Sequence, residues 1–525
     1  MHIRLQFLIA LAFFSTCSSV WGALEPNFLR VALESEPVTL DWNRIRSGSD
    51  RFIVSFLMRG LLKYDASSAL ICDLCKSYSV SPDRRILTFQ INTDEVWSDK
   101  VPLEAQQFVD SFRRLLDPSL NSPAADEFRI VSGAPPITHD VKAKKWDASK
   151  LGVRASGKET LEITLTRPLA IFPHLLTTVG SFPIRKELLS GKDAGEKHAT
   201  LAVIGPYFLA EWVHGKRIVL EGNEQFKGSR PVHRVDFALG SHAQLAERFK
   251  KGRLDLLSHP TTEDLLKIRE RNVQVNPFLA TRNLLLNVKG PLADASLRRA
   301  VLYSLDRATL PAFLKTGERP ITGLIPKGLP GYRELPLATV DLPRAQAERS
   351  RAKASSVLTL KLLITNTPSD KKVAEWLARQ LLRIQIKTIE TALPKKEYLK
   401  ALGHGQFDLA LNTWSFGIAS PLELLHEFQT GAPGNFGNWT NVAFDALVDQ
   451  LFRDPKEGEF ATLLDQSSQM IEIQDIGVIP LGYPTQSFLL SGRVRNFATT
   501  PFGDPDLVKI ALKPSGGKAA PPARK

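Results

Sequence analysis

The feature that most constrains this chain is a change of hydrophobic period that repeats through its second half. Leu358 to Ile364 reads as a strand and Asp370 to Arg383 as an amphipathic helix. Ile386 to Glu390 returns to strand, Lys396 to Leu402 to helix, and Asp408 to Asn412 to strand again. Each switch between apolar spacing of two and of about 3.6 marks a new element. Strands that alternate with helices build α/β lobes, here expected to hold largely parallel sheets.

The first half reads similarly, with more strands. Leu29 to Leu33 is a strand, Phe52 to Leu62 a helix and Leu87 to Ile91 a half-buried strand. Pro102 to Leu116 is a helix stopped by Asp117-Pro118, and Leu161 to Leu165 is a strand ended by Arg167-Pro168. Beyond Gly205-Pro206-Tyr207, strands are expected at Tyr207 to Trp212, Ile218 to Glu221 and Val235 to Leu239, and a helix at Gln244 to Lys251. Asn283 to Asn287 and Ser296 to Leu305 open the second region as strand and helix. A chain of 525 residues exceeds what one core serves, so two or three domains are expected.

The N-terminus has the layout of a secretory leader. Arg4 precedes an apolar run from Leu5 to Phe14 broken only by Gln6, small and polar residues follow, and cleavage is expected after Gly22. A retained anchor and a lipoprotein acylated at Cys17 are the alternatives. The net charge of +13 comes from scattered Lys and Arg rather than a basic stripe, so it reads as surface solvation and not as a nucleic-acid face. After processing only Cys72 and Cys75 remain, and without further cysteines or clustered histidines a zinc site is not expected. A local disulfide or two inert thiols are favoured over a catalytic pair. The tail 514–525, rich in Gly, Pro, Ala and basic residues, is expected to be disordered.

Enzyme signatures are missing from the sequence. There is no G-x-S-x-G elbow, H-E-x-x-H pair, phosphate-cradling loop or dinucleotide fingerprint, and the His residues are dispersed. No catalytic residue, metal or cofactor is expected.

Several stretches, in order, resemble the large periplasmic oligopeptide- and dipeptide-binding proteins that serve ABC importers, the extracellular solute-binding proteins of family 5. They are Glu36 to Asp41, Arg59 to Asp65, Trp97 to Leu103 with Phe108 to Ser111, Gly205 to Tyr207 with Glu211-Trp212 and Asn223, Arg298 to Arg307, Gly323 to Pro326 and Asp408 to Trp414. Lys100 stands where that family usually has Gly. The resemblance implies an α/β, two-lobed periplasmic-binding-protein fold with an extra inserted subdomain. The first lobe would take residues 23–64, 203–279 and 487–513, the inserted subdomain 65–202, and the second lobe 280–486, after a leader at 1–22. It also implies a periplasmic, monomeric receptor that passes a peptide or peptide-like ligand to an ABC importer permease. A repurposed sensory or cell-wall interaction module with a degenerate cleft is the alternative.

The ligand-binding residues implied are Glu36, Val38 and Thr39 in the first lobe, and Trp414, Ser415, Phe416, Gly417, Ile418, Asn435 and Phe436 in the second. Trp42, Trp97 and Trp439 are further aromatic candidates, with Trp97 read as structural. In the family an Asp shortly after the Trp pairs with the peptide's α-ammonium group. Here the expected Asp-Tyr falls on Gly417-Ile418, and nothing acidic occurs between Asp408 and Glu423. Two readings stay open. The ligand lacks a free ammonium in that position, as a blocked, murein-derived or non-peptide ligand would, or a carboxylate arrives from Glu34, Glu36 or Glu423.

Overall fold

The computed structural model describes residues 28–513 apart from 66, 137–145, 186–200, 269–271, 335–336, 353–356 and 454. The leader, Cys17 and the tail lie outside the described residues.

A seven-stranded sheet forms the first lobe, in the order Asn272–Pro277, Thr485–Leu490, Leu256–Ser258, Leu29–Leu33, Arg234–Leu239, Arg217–Gly222 and Tyr207–Val213. Only Leu29–Leu33 pairs in parallel, with both of its neighbours. The rest is antiparallel, because short hairpins such as Tyr207–Val213 to Arg217–Gly222 reverse the chain within a few residues. The return strand begins at Thr485, slightly ahead of the boundary drawn from the sequence.

A five-stranded sheet forms the second lobe, in the order Ile386–Leu393, Leu358–Thr365, Leu409–Ser415, Ala280–Leu286 and Val478–Gly482. Its parallel pairs are those that Leu358–Thr365 makes on either side. Both lobes are therefore mixed, and the expectation of largely parallel sheets held only where a helix returns the chain. Strand Ala280–Leu286 is buried at every position. Leu284 and Leu286 feed the core on one face of the sheet and Leu285 the core on the other. A strand covered on both faces loses the alternation that marks a half-exposed one.

Between the strands of the first lobe, a four-stranded antiparallel sheet is inserted, in the order Cys75–Val80, Ile86–Ile91, Thr160–Thr164 and Val153–Ser156. It is not a separate body. Phe89, Phe108 and Phe112 of the insert share one continuous core with Val31, Tyr207 and Phe237 of the first lobe.

Helix Gly48–Leu57 starts and stops earlier than its apolar spacing suggested. Ser47 accepts from Asp50 N at 3.1 Å and Asp50 accepts from Ser47 N at 3.2 Å, a capping box that sets its first turn. The chain then leaves the helix to enter the short strand Leu62–Tyr64. Cys72 and Cys75 are joined in a disulfide. Trp97 is fully buried and its Nε1 donates to Gln107 Oε1 at 2.9 Å, so it holds the insert's helix Ala105–Leu115 in place.

Candidate ligand-binding cleft

Between the lobes lies a cleft of about 2190 Å³, larger than the roughly 300–1,000 Å³ of a typical small-ligand site. Arg51, Phe52, Ser55 and Phe56 line it from the first lobe. Their spacing puts them along one side of helix Gly48–Leu57. Glu127, Arg167 and Ile171 line it from the insert, Trp414, Glu423 and Arg453 from the second lobe, and Phe502 and Asp504 from the return segment.

The loop after strand Leu409–Ser415 is held from both sides. Phe416 N donates to Leu279 O at 3.0 Å, and the Phe416 ring is buried in the second lobe's core. Gly417 N then donates to Glu423 Oε1 at 3.0 Å and Ile418 N to Glu423 Oε2 at 3.0 Å. The next amide, Ala419 N, donates across the lobes to Tyr64 Oη at 2.9 Å. Ile418 is buried in the core of the first lobe and insert rather than in that of its own lobe.

Glu423 lies in the first turn of the short helix Leu422–Leu425, and this places its carboxylate beside the loop. A Cβ added to Gly417 would stand 3.3 Å from Glu423 Oε1. The space next to Gly417 thus already holds a carboxylate, delivered from six residues further on. Burial pushes the Glu423 carboxyl up to about 7, against the Gly417 and Ile418 amides, and the neighbouring Glu127 and Glu427 push it the same way. Burial also raises Glu127 and Asp504, with Arg51 opposing in both cases.

Of the residues implied by the sequence, Trp414, Gly417 and Ile418 line the cleft, and so does Trp42. Glu36, Val38, Thr39, Ser415, Phe416, Asn435 and Phe436 do not line it. Glu36 accepts from Trp212 Nε1 at 2.7 Å and Gly215 N at 3.0 Å, pinning the loop to the hairpin of the first sheet. Val38 donates its N–H to Asp50 Oδ1 at 2.7 Å and exposes its side chain, while Thr39 Oγ1 accepts from Asp41 N at 3.1 Å. Ser415 is exposed at the strand end. Asn435 ties its own loop, donating to Trp439 O at 2.6 Å and accepting from Trp439 N at 3.1 Å, and Phe436 packs on the second lobe's core. Trp439 is buried, and its Nε1 donates to Asp475 Oδ2 at 3.0 Å.

Sequence reasoning named Glu423 only as one substitute carboxylate among three, and missed Tyr64 and His174. Glu423 had a signal, being the first acid after the empty Asp position. Tyr64 and His174 had none, since the 2.9 Å contact between Tyr64 Oη and His174 Nδ1 joins the first lobe to the insert. Among the described residues, no group of three or more His, Cys, Asp or Glu is placed to hold a metal ion, and no helix is long and apolar enough to cross a membrane.

The family model for the bacterial extracellular solute-binding proteins, family 5 Middle, matches residues 69–436. The chain belongs to this family. The periplasmic oligopeptide-binding protein OppA of Escherichia coli is 25% identical over 474 residues, covering 86% of each chain. The periplasmic murein peptide-binding protein MppA of Escherichia coli is 26% identical over 437 residues, 80% of each chain. A probable deoxycholate-binding periplasmic protein, YgiS of Escherichia coli, is 25% identical over 488 residues, 88% of this chain and 89% of its own. Among solved family structures, the murein tripeptide-binding protein in its unliganded open form superposes with a TM-score of 0.79 at 23% identity, covering 93% of this chain and 98% of that one. Haemophilus influenzae OppA complexed with RPPGFSPFR gives 0.68 at 21% identity, covering 92% of this chain and 99% of that one. These likenesses extend to the fold of both lobes and the insert.

Proposed function

We propose that this chain is a periplasmic receptor that captures a peptide or peptide-like ligand between its lobes and delivers it to an ABC importer, without a chemical step of its own. The names of its oligopeptide- and murein peptide-binding relatives support the ligand class. The observation that carries the reading is the Glu423 carboxylate beside Gly417 in an inter-lobe cleft. Two backbone amides orient it, and an ammonium group closing on it makes a charge-assisted hydrogen bond. Glu423 thereby supplies from a new position the charge that Gly417 lacks. We assign residues 23–64, 203–279 and 487–513 to the first lobe, 65–202 to the insert and 280–486 to the second lobe, a division that the membership of the three sheets supports except at Thr485 and Gln486, which pair within the first lobe's sheet.

Mass spectrometry of ligand released by denaturing gently purified protein tests this, together with calorimetry on peptides with free and N-acetylated amino ends. Peptides are expected in the released fraction, and acetylation is expected to weaken binding. Release of a bile acid instead, or equal binding of both peptide forms, would overturn the assignment of ligand or of Glu423 respectively.

A further inference from the structure

Tyr64 ends the strand Leu62–Tyr64, where the chain passes from the first lobe into the insert. Its hydroxyl lies 2.9 Å from His174 Nδ1 in the insert and accepts from Ala419 N of the second lobe at 2.9 Å. Its ring meets Phe502 of the return segment edge-on, with centroids 5.5 Å apart. One side chain thus touches the insert, the return segment and the opposite lobe.

The direction of these bonds follows from their chemistry. An amide N–H only donates, so the phenol oxygen accepts from Ala419 and keeps its own proton to give. Burial holds His174 down to about 4, so its imidazole is neutral near pH 7 and offers a lone pair. The chain of donors therefore runs from Ala419 N–H to Tyr64 O–H to His174 Nδ1. Burial also pushes the Tyr64 phenol up to about 12, which keeps the proton on it.

Ala419 follows the two residues whose amides hold Glu423. The three successive N–H groups of Gly417, Ile418 and Ala419 are thus fixed, two by Glu423 within the lobe and one by Tyr64 across the boundary. Without the last bond, the Gly417 and Ile418 amides are held by the Glu423 carboxylate alone, and the loop keeps only its flanking Phe416 bond to Leu279 and the buried Ile418 side chain.

We propose that Tyr64 is a positioning residue for ligand capture, which fixes the Gly417–Ala419 loop, and with it the Glu423 carboxylate, from the opposite lobe. This rests on the reading of Glu423 as the ligand's anchor. A tyrosine that merely fills the core would act through its ring alone, so Tyr64→Phe, which keeps the ring, separates the two roles.

The test compares the wild-type chain with Tyr64→Phe and with His174→Leu, in two measurements. The first is amide hydrogen exchange of a fragment spanning Gly417–Ala419, with strand Ala280–Leu286 as internal control. The second is retention of a synthetic pool of free-amino tripeptides to pentapeptides, read by native mass spectrometry. Loss of one hydrogen bond predicts roughly tenfold faster exchange in the loop, an unchanged control strand and severalfold lower retention in Tyr64→Phe. His174→Leu should move both readouts the same way, and adding it to Tyr64→Phe should add little, because both act through one hydroxyl. Wild-type exchange or wild-type retention in Tyr64→Phe overturns the proposal, as does equal acceleration in the control strand. If the wild type retains no peptide, the peptide reading falls and the role of Tyr64 in capture falls with it, while the exchange measurement, which needs no ligand, still decides whether Tyr64 fixes the loop.

Discussion

Gly205 N donates to Leu57 O at 2.8 Å, and a Cβ on Gly205 would stand 2.5 Å from the Leu57 carbonyl carbon. The end of helix Gly48–Leu57 and the approach to strand Tyr207–Val213 are in backbone contact there, with no room for a side chain. Asn223 Nδ2 donates to Gly205 O at 2.9 Å, which closes off a sideways shift. Gly205→Ala should therefore destabilise the protein by about 2–3 kcal/mol through overpacking against backbone, read as a lower urea midpoint.

Lys100 presents the opposite case. It sits at φ 70, in the tight turn where Lys100 N donates to Trp97 O at 2.8 Å and Trp97 N donates to Val101 O at 2.9 Å. A left-handed backbone costs an L-residue about 1–2 kcal/mol, which glycine avoids. The Lys100 side chain is exposed, so removing it gives up no buried contact. Lys100→Gly should raise stability by about 1 kcal/mol in the same urea titration.

These two positions show what a sequence carries. Gly205 and the place of Lys100 were legible because a tight backbone feature demands one residue type at one place. The strands and helices from Leu358 to Ser415 were legible because burial on one face leaves a period. The direction of strand pairing was not, since Leu29–Leu33 looks the same whether its neighbour is parallel or antiparallel. At the cleft, Trp414 and Gly417-Ile418 could be aligned along the chain. The Tyr64 bond to Ala419 joins residues far apart in sequence, and neither composition nor spacing records it.

Arg59 anchors the border between helix and insert. Its Nη2 reaches Asp73 Oδ1 and its Nη1 reaches Glu95 Oε2, each at 2.7 Å, with all three side chains largely shielded. Asp73 lies inside the Cys72–Cys75 disulfide loop. Removing the Arg59 cation leaves Glu95 without a partner and Asp73 with only the half-exposed Lys63, whose Nζ lies 3.0 Å from Asp73 Oδ1, which costs about 3 kcal/mol. Arg59→Met should lower the urea midpoint accordingly. Arg59→Met combined with Asp73→Asn and Glu95→Gln should recover much of the loss.

Glu423 should make both stability and ligand affinity depend on pH. Burial, with Glu127 and Glu427 nearby, raises its folded value to about 7 from an unfolded 4.5. A carboxyl whose folded value is raised binds its proton more tightly in the folded state. Its contribution to stability is therefore fully present below the unfolded value and is lost as pH rises through the folded one. Glu423→Gln should flatten stability across this window. Affinity for an ammonium runs the other way, because only the ionised carboxylate pairs with it. From about pH 6 to about pH 8 the ionised fraction grows roughly tenfold, while about half of the peptide's α-ammonium is lost by pH 8, so a free-amino peptide should bind roughly fivefold more tightly, with proton release on the acid side. Calorimetry in two buffers of different ionisation enthalpy measures both quantities. Neither the N-acetylated peptide nor the Glu423→Gln variant should show the rise, which separates Glu423 from Glu127 and Asp504 in the same cleft.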